Sequence, residues 1–411
     1  MAASETPAPR LSRVFAALLA ILLIAEAGSQ AFFLHWVGRP FGSVFLYNWS
    51  PYGLVRNNPS LTGNFQISPD GFREMRTYSK KKPPNTFRVL LLGGSVLYSG
   101  SGGPAVLYDK WPVPSNATIS QFLAKRLQAD PAFKNVNVEV INGAVNFNRI
   151  VEISSAYLAD YIGWSPDIVV VYGSANNFPR PIMVGDLDNF RGEIQSYHPW
   201  RLEFERLVTE RNFPSMFEDN LRRAADASAA MSLVDKTAEA VAGRALDAVN
   251  RFSPPPPDAP PPQLAPARDE ERYFDLYGSY ALAIADAARQ YGQDVAFVWE
   301  YHLGDMGGLK PLSAEEQRIY PFVKRSQEFT QYDFRTRDRW LAFFAQHDIA
   351  TVNPIDALKQ HNGTVFIDYL HYTSEGNDFI AGVTYQQLHP LFLKALAKSG
   401  LGGPRPPAGP P

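Results

Sequence analysis

Cysteine is missing from all 411 residues of the chain. Its absence excludes disulfides, cysteine-ligated zinc, iron–sulfur clusters, thiol catalysis and a lipid-bearing cysteine anchor. Excess charge is also missing. A formal net of -2 argues against a broad nucleic-acid-binding face. No internal repeat is visible, and no Gly-Lys-Ser/Thr follows the glycine turn at Gly93-Gly94, so a Walker loop is excluded. Gly100-Ser101-Gly102 lacks the third glycine of a dinucleotide fingerprint, and neither His361 nor His389 forms a zincin pair with His371. Seven histidines still leave metal or acid–base roles open.

Proline, by contrast, is abundant at 34 residues, and it is localised. Eight prolines fall within Ser253–Ala267, which excludes helix and central strand there, and more fall in the tail at 399–411, read as disordered. The stretch 181–268 as a whole reads as an insertion, with charged, Ala-rich helical patterns ahead of the proline run.

At the N-terminus a short leader, 1–13, carries Arg10 and Arg13. An apolar run from Val14 to Ala25 follows, and the chain stays mostly uncharged to Trp36 apart from Glu26. The uninterrupted run is shorter than the roughly 20 residues of a clean span, while 14–36 is long enough. Ala25-Glu26-Ala27 also has a small-x-small cleavage pattern. The segment therefore reads as a transmembrane signal anchor or a cleaved signal peptide. Both place the arginines in the cytoplasm and the rest outside it, in the periplasm or beyond the cell. Residues 37–86 read as an extended connection with short strands.

From Phe87 the pattern changes. Short apolar runs at 87–92, 138–141, 168–172, 295–299 and 349–352 have the form of buried parallel strands. Helical patterns at 119–128, 150–162, 271–291, 335–347 and 375–398 alternate with them. The alternation predicts an α/β fold with a parallel sheet of about five strands covered on both faces, over 87–398. Active sites in such sheets lie beyond the carboxyl ends of the strands.

Four places there carry candidate chemistry. Ser95 follows Gly93-Gly94 on a tight turn into a helix, the setting of an exposed nucleophile and equally of an ordinary turn. Asp368 precedes His371 by three residues, close enough to fix an imidazole tautomer. Asn176, after the third strand, is placed to aim an amide N–H at an oxyanion, or simply to make a turn. Gly143 and Ala144, after the second strand, leave backbone N–H groups accessible.

In this order the four blocks resemble the SGNH hydrolases, also called the GDSL family. The resemblance covers about 87–180 and 270–398 and includes Lys310-Pro311-Leu312-Ser313-Ala314-Glu315-Glu316, similar to a loop-to-helix start in membrane-anchored bacterial members. It implies a flavodoxin-like three-layer sandwich and a Ser95–His371–Asp368 triad. It also implies an oxyanion hole from the N–H groups of Ser95 and of Gly143 or Ala144, with the Asn176 amide. The implied activity is ester hydrolysis, on O-acyl, and foremost O-acetyl, esters of cell-envelope carbohydrate. The implied partners are that acylated substrate and, through the N-terminal helix, a membrane; no nucleic acid, metal or organic cofactor is implied. Two departures stand out: the family's third-block glycine is Ser174, and its Asn-x-Gly reads Asn142-Gly143-Ala144. An O-acetyltransferase with the same triad and a non-catalytic tethered binding protein are the alternatives.

Overall fold

The computed structural model describes residues 19–29, 31, 47–49, 55–57, 66–99, 113–146, 148–175, 267–324 and 327–401. The predicted insertion, apart from its last two residues, and most of the tail lie outside this set. The chain divides into two compact units, residues 1–46 with 191–261, and 47–190 with 262–411. In the first unit, residues 19–29 are helical and present Leu19, Ile21, Leu22, Leu23 and Ile24 outward. Among the described residues no helix is long and apolar enough to cross a membrane; the other residues of the 14–36 expectation lie outside the described set, Ala31 excepted.

The second unit holds the sheet. A small antiparallel pair, β1 (Tyr47–Trp49) and β2 (Val55–Asn57), precedes it. Five parallel strands follow: β3 (Thr86–Gly93), β4 (Asn137–Asn142), β5 (Ile168–Tyr172), β6 (Asp294–Val298) and β7 (Ala350–Val352). Their order is β4-β3-β5-β6-β7. β3 thus pairs with both strands that follow it in the chain, and the direction of winding reverses there. In sheets of this kind such a reversal marks the carboxyl ends of the two strands, here β3 and β5, as the place where ligands bind.

Largely apolar runs form these strands because both faces are covered, with Arg88 and Glu139 the charged exceptions in β3 and β4. Val89 and Leu91 of β3 and Val170 of β5 join one core with Ile119, Leu123 and Leu127 of the helix Ile119–Ala129 and with Ile380 and Val383 of the helix Ser374–Lys398. Leu90 and Leu92 of β3 and Val169 of β5 join the other core, with Ile150, Ile153, Ile284 and Trp340. Helices α1 (Ser95–Tyr98), α2 (Ile119–Ala129), α3 (Ile150–Ala159) and α4 (Ala267–Gln290) come before β6 or flank it in sequence. Helices α5 (Ala314–Val323), α6 (Gln327–Gln346), α7 (Ile355–Gln360) and α8 (Ser374–Lys398) follow β6, and with the first four they are the α-helices of this unit among the described residues. This is the expected α/β arrangement. The fourth strand lies one residue earlier than expected, leaving Trp299 and Glu300 beyond its end.

One charged pair sets the register at the amino edge of the sheet. Arg88 of β3 stands opposite Glu139 of β4, and their side chains pair at 2.7 Å with both buried. At the carboxyl edge the requirement is for no side chain at all. A Cβ on Gly93 would lie 2.8 Å from the Tyr172 carbonyl oxygen, so β3 and β5 meet there only because residue 93 is glycine.

Candidate active site

The turn after β3 presents Ser95 as the first residue of α1, with Gly94 as its extended N-cap. A first-turn N–H has no acceptor within its own helix. Asn142, the last residue of β4, braces this turn: its Nδ2 donates to the Leu97 carbonyl at 3.1 Å.

Asp368 and His371 sit on a narrow reversal late in the chain. Phe366 and Tyr372 bridge across it, and the Ile367 N–H donates to the His371 carbonyl at 2.8 Å. Inside the reversal Asp368 Oδ1 accepts the N–H groups of Leu370 and His371, each at 2.8 Å. The same carboxylate reaches the His371 ring through its other oxygen, Oδ2, 2.7 Å from Nδ1. The three-residue spacing therefore places carboxylate and imidazole on one local turn. His371 Nε2 lies 2.8 Å from Ser95 Oγ, so the three side chains form one hydrogen-bonded chain. Ser95, Asp368 and His371 are 3%, 2% and 1% exposed, so both contacts of the chain are buried. Burial pushes the Asp368 carboxyl up, but the His371 ring and the two N–H donors outweigh it and hold the carboxyl below its ordinary range.

The segment ahead of Asp368 is anchored by the motif at 310–316. Lys310 Nζ and Glu316 Oε2 pair at 2.6 Å with both side chains fully buried. Lys310 also donates to the Gly363 carbonyl, and Glu316 Oε1 accepts the N–H groups of Val365 and Phe366. Ser313 and Glu316 close a capping box at the start of α5. On the far side of the reversal, the Asn377 side chain donates to Ser99 Oγ and the Ala117 carbonyl, tying the start of α8 to the end of α1.

The two second-block positions differ. The Gly143 N–H donates to the Leu91 carbonyl at 2.8 Å and the Val145 N–H to the Gly93 carbonyl, so the chain continues to track β3 beyond the end of β4. Alternation along an extended chain turns the intervening Ala144 N–H away from β3, and it donates to Asn142 Oδ1 at 3.1 Å. Asn176 lies outside the described residues, which end at Ala175 on that loop.

Glu300, beyond the end of β6, holds that loop, a role absent from the sequence expectations. Its Oε2 accepts the N–H groups of Ser174 at 3.0 Å and Ala175 at 2.8 Å, and its own N–H donates to Ser174 Oγ at 2.7 Å. Ser174, the residue that departs from the glycine of the resembled pattern, thus supplies the hydroxyl of this clamp. Burial pushes the Glu300 carboxyl up to about 7 against these donors. An acidic residue closing an apolar strand at the carboxyl edge of the sheet is the one sequence signal that points to it.

No protein-family model matches the chain, and no curated protein matches it by sequence. Among solved structures, a catalytic mutant of an acetylxylan esterase from Geobacillus stearothermophilus is similar at 9% identity and a TM-score of 0.38, covering 74% of this chain and 94% of that one. A Bacteroides fragilis protein named as a candidate acylhydrolase is similar at 11% identity and a TM-score of 0.35, covering 76% of this chain and 91% of that one.

Proposed function

We propose that the chain is a serine ester hydrolase of the SGNH type. The observation that carries the reading is the buried relay from Ser95 Oγ through His371 to Asp368, at 2.8 and 2.7 Å. In this reading His371 Nε2 takes the Ser95 proton as Oγ attacks an ester carbonyl. Asp368 keeps the proton on Nδ1 and stabilises the imidazolium that forms. The protonated ring then delivers its proton to the departing alcohol, leaving an acyl-serine, and water enters by the reverse sequence. The developing oxyanion takes the Ser95 N–H and the Ala144 N–H, the latter exchanged from its 3.1 Å bond to Asn142. Gly143 is set aside as the donor because its N–H is held by the Leu91 carbonyl. The Asn176 amide is the third donor of the proposal.

The substrate class proposed is O-acyl, foremost O-acetyl, ester of cell-envelope carbohydrate. Its support is the leader with Arg10 and Arg13 and the apolar segment after it, read as an export signal or anchor that places the catalytic unit outside the cytoplasm. The outward Leu22, Leu23 and Ile24 fit contact with lipid.

The test is labelling of the full-length protein with a fluorophosphonate probe, together with hydrolysis of an acetyl ester. Wild type is expected to react with the probe and turn over the ester, and Ser95→Ala to do neither. Equal labelling of the two sinks the proposal. Supplying a sugar acceptor with a labelled acetyl donor then separates hydrolysis from transfer.

A further inference from the structure

Behind the reversal that carries Asp368 and His371 lies a second cluster, unused by the proposed reaction. His302 and Asp305 bound a single 3₁₀ turn, Leu303–Asp305, in which positions three apart eclipse and side chains fall on one side. Asp333 faces them from α6. All three residues are more than nine-tenths buried. His302 Nδ1 lies 3.5 Å from Asp305 Oδ2 and 3.9 Å from Asp333 Oδ2, and the three ligand-type atoms fall within 4.8 Å of one another.

These separations are too long for N–H···O hydrogen bonds between the pairs. They fit donors that share an ion. Two ligands about 2.1 Å from a zinc ion stand about 3.4 Å apart at a tetrahedral angle, and further apart at wider angles. A small cavity, about 10 Å³, opens at this point, lined by Ser174, Glu300 and the three cluster residues among others, with no lysine or arginine among the described lining residues. Glu300 adds an independent observation. Its Oε2 is spent on the loop after β5, while its Oε1 is buried without a hydrogen-bond partner. Thr330, one turn before Asp333 on α6, donates to Asp305 Oδ1 at 3.2 Å, the outer-shell support that orients a ligating carboxylate.

The structure assigns to His302, Asp305 and Asp333 a buried site for one divalent transition-metal ion, with Glu300 lining the same cavity. An imidazole nitrogen among carboxylate oxygens selects borderline ions such as zinc or iron(II) over magnesium or calcium. The ion bridges the turn after β6 to α6. That turn supports the reversal directly: the Leu303 N–H donates to the Tyr369 carbonyl at 2.9 Å, and the His302 and Tyr369 rings lie parallel with centroids 6.3 Å apart. The site therefore braces Tyr369, between Asp368 and His371, and takes no part in bond making.

The test uses the full chain, stripped with chelator and desalted after incubation with zinc. Wild type is expected to retain about one equivalent by elemental analysis and to melt several degrees higher than the stripped protein. Asp333→Asn and His302→Gln are expected to bind at least about 100-fold more weakly, whereas the exposed Asp356→Asn retains the metal. If the variants fail to fold, X-ray absorption of zinc-loaded wild type decides, with one imidazole and otherwise oxygen ligands expected. A stripped wild type that takes up no zinc, zinc retained equally by folded Asp333→Asn, or an ion with no imidazole ligand overturns the assignment.

Discussion

His371 Nε2 stands 2.8 Å from Ser95 Oγ although 276 positions separate the two residues in the chain. Ser95 is held by the end of β3 and the Asn142 brace. His371 is held by a local reversal that Asp368 closes from inside. The contact forms because two independently anchored turns converge beyond the carboxyl end of β3, and all but one of the predictions below perturb one of those anchors.

Asp368 is held below the ordinary carboxylate range, so its ionised form favours the folded state. That contribution is present above the unfolded pKa and is lost as pH falls through the folded value. Asp368→Asn is expected to be less stable than wild type at pH 7, with the difference shrinking in acid below the ordinary carboxylate range. Its kcat on an acetyl ester should fall about 10⁴-fold, since the amide favours the wrong imidazole tautomer. Paired pH-stability curves and steady-state kinetics check both.

Lys310 and Glu316 are a fully buried ion pair, and removing one partner strands the other. Lys310→Met is expected to cost about 3–5 kcal/mol of unfolding free energy. Because the pair anchors Gly363, Val365 and Phe366, activity should fall further than the folded fraction explains. Chemical denaturation with kinetics on the folded fraction measures it. An unchanged midpoint contradicts the assigned anchor.

Glu300 clamps Ser174 and Ala175, so the residue that matters there is an acceptor rather than a negative charge. Glu300→Gln keeps a carbonyl acceptor and should hold kcat within about threefold, whereas Glu300→Ala leaves two N–H donors bare at about 1–3 kcal/mol each. A kcat loss of about 10- to 100-fold in the alanine variant, rescued by glutamine, is the expected pattern.

Glu74, fully buried, accepts the Asn142 N–H, and burial pushes its carboxyl up to about 7 against that and other donors. A folded pKa above the unfolded one means the contribution is complete below about 4.5 and is lost as pH rises through about 7. Glu74→Gln should therefore gain on wild type between pH 5 and 8, by about 3 kcal/mol at the top of the range. Urea melts at stepped pH read the difference, and parallel curves contradict it.

How much of this was legible in the sequence follows from range. β3, β4 and β5 read directly, because strands covered on both faces leave mostly apolar runs, unbroken at Ile168–Tyr172 and interrupted only by Arg88 within 87–92 and Glu139 within 138–141. The Asp368–His371 pair read directly because one turn holds both. The parallel arrangement followed from alternation alone. Glu300 did not read, since its meaning depends on N–H groups about 125 residues away. The choice between Gly143 and Ala144 stayed open because only the structure shows the chain tracking β3 past Asn142. Helix α6 begins at Gln327, ahead of the expected Arg335, because a mixed polar start hides its first turns from an apolar-periodicity search.

The strand order carries a consequence for synthesis. β3, β4 and β5 can zip together as soon as Tyr172 emerges, yet β6 follows only after the long stretch up to Asp294. Through that interval the apolar β5 is a nascent edge without its neighbour, the kind of template that invites pairing between chains. At about 5–20 residues per second, His371 arrives on the order of tens of seconds after Ser95. The half-built sheet thus needs shielding during elongation, and a chain cut short anywhere before residue 371 carries Ser95 without its hydrogen-bond partner His371.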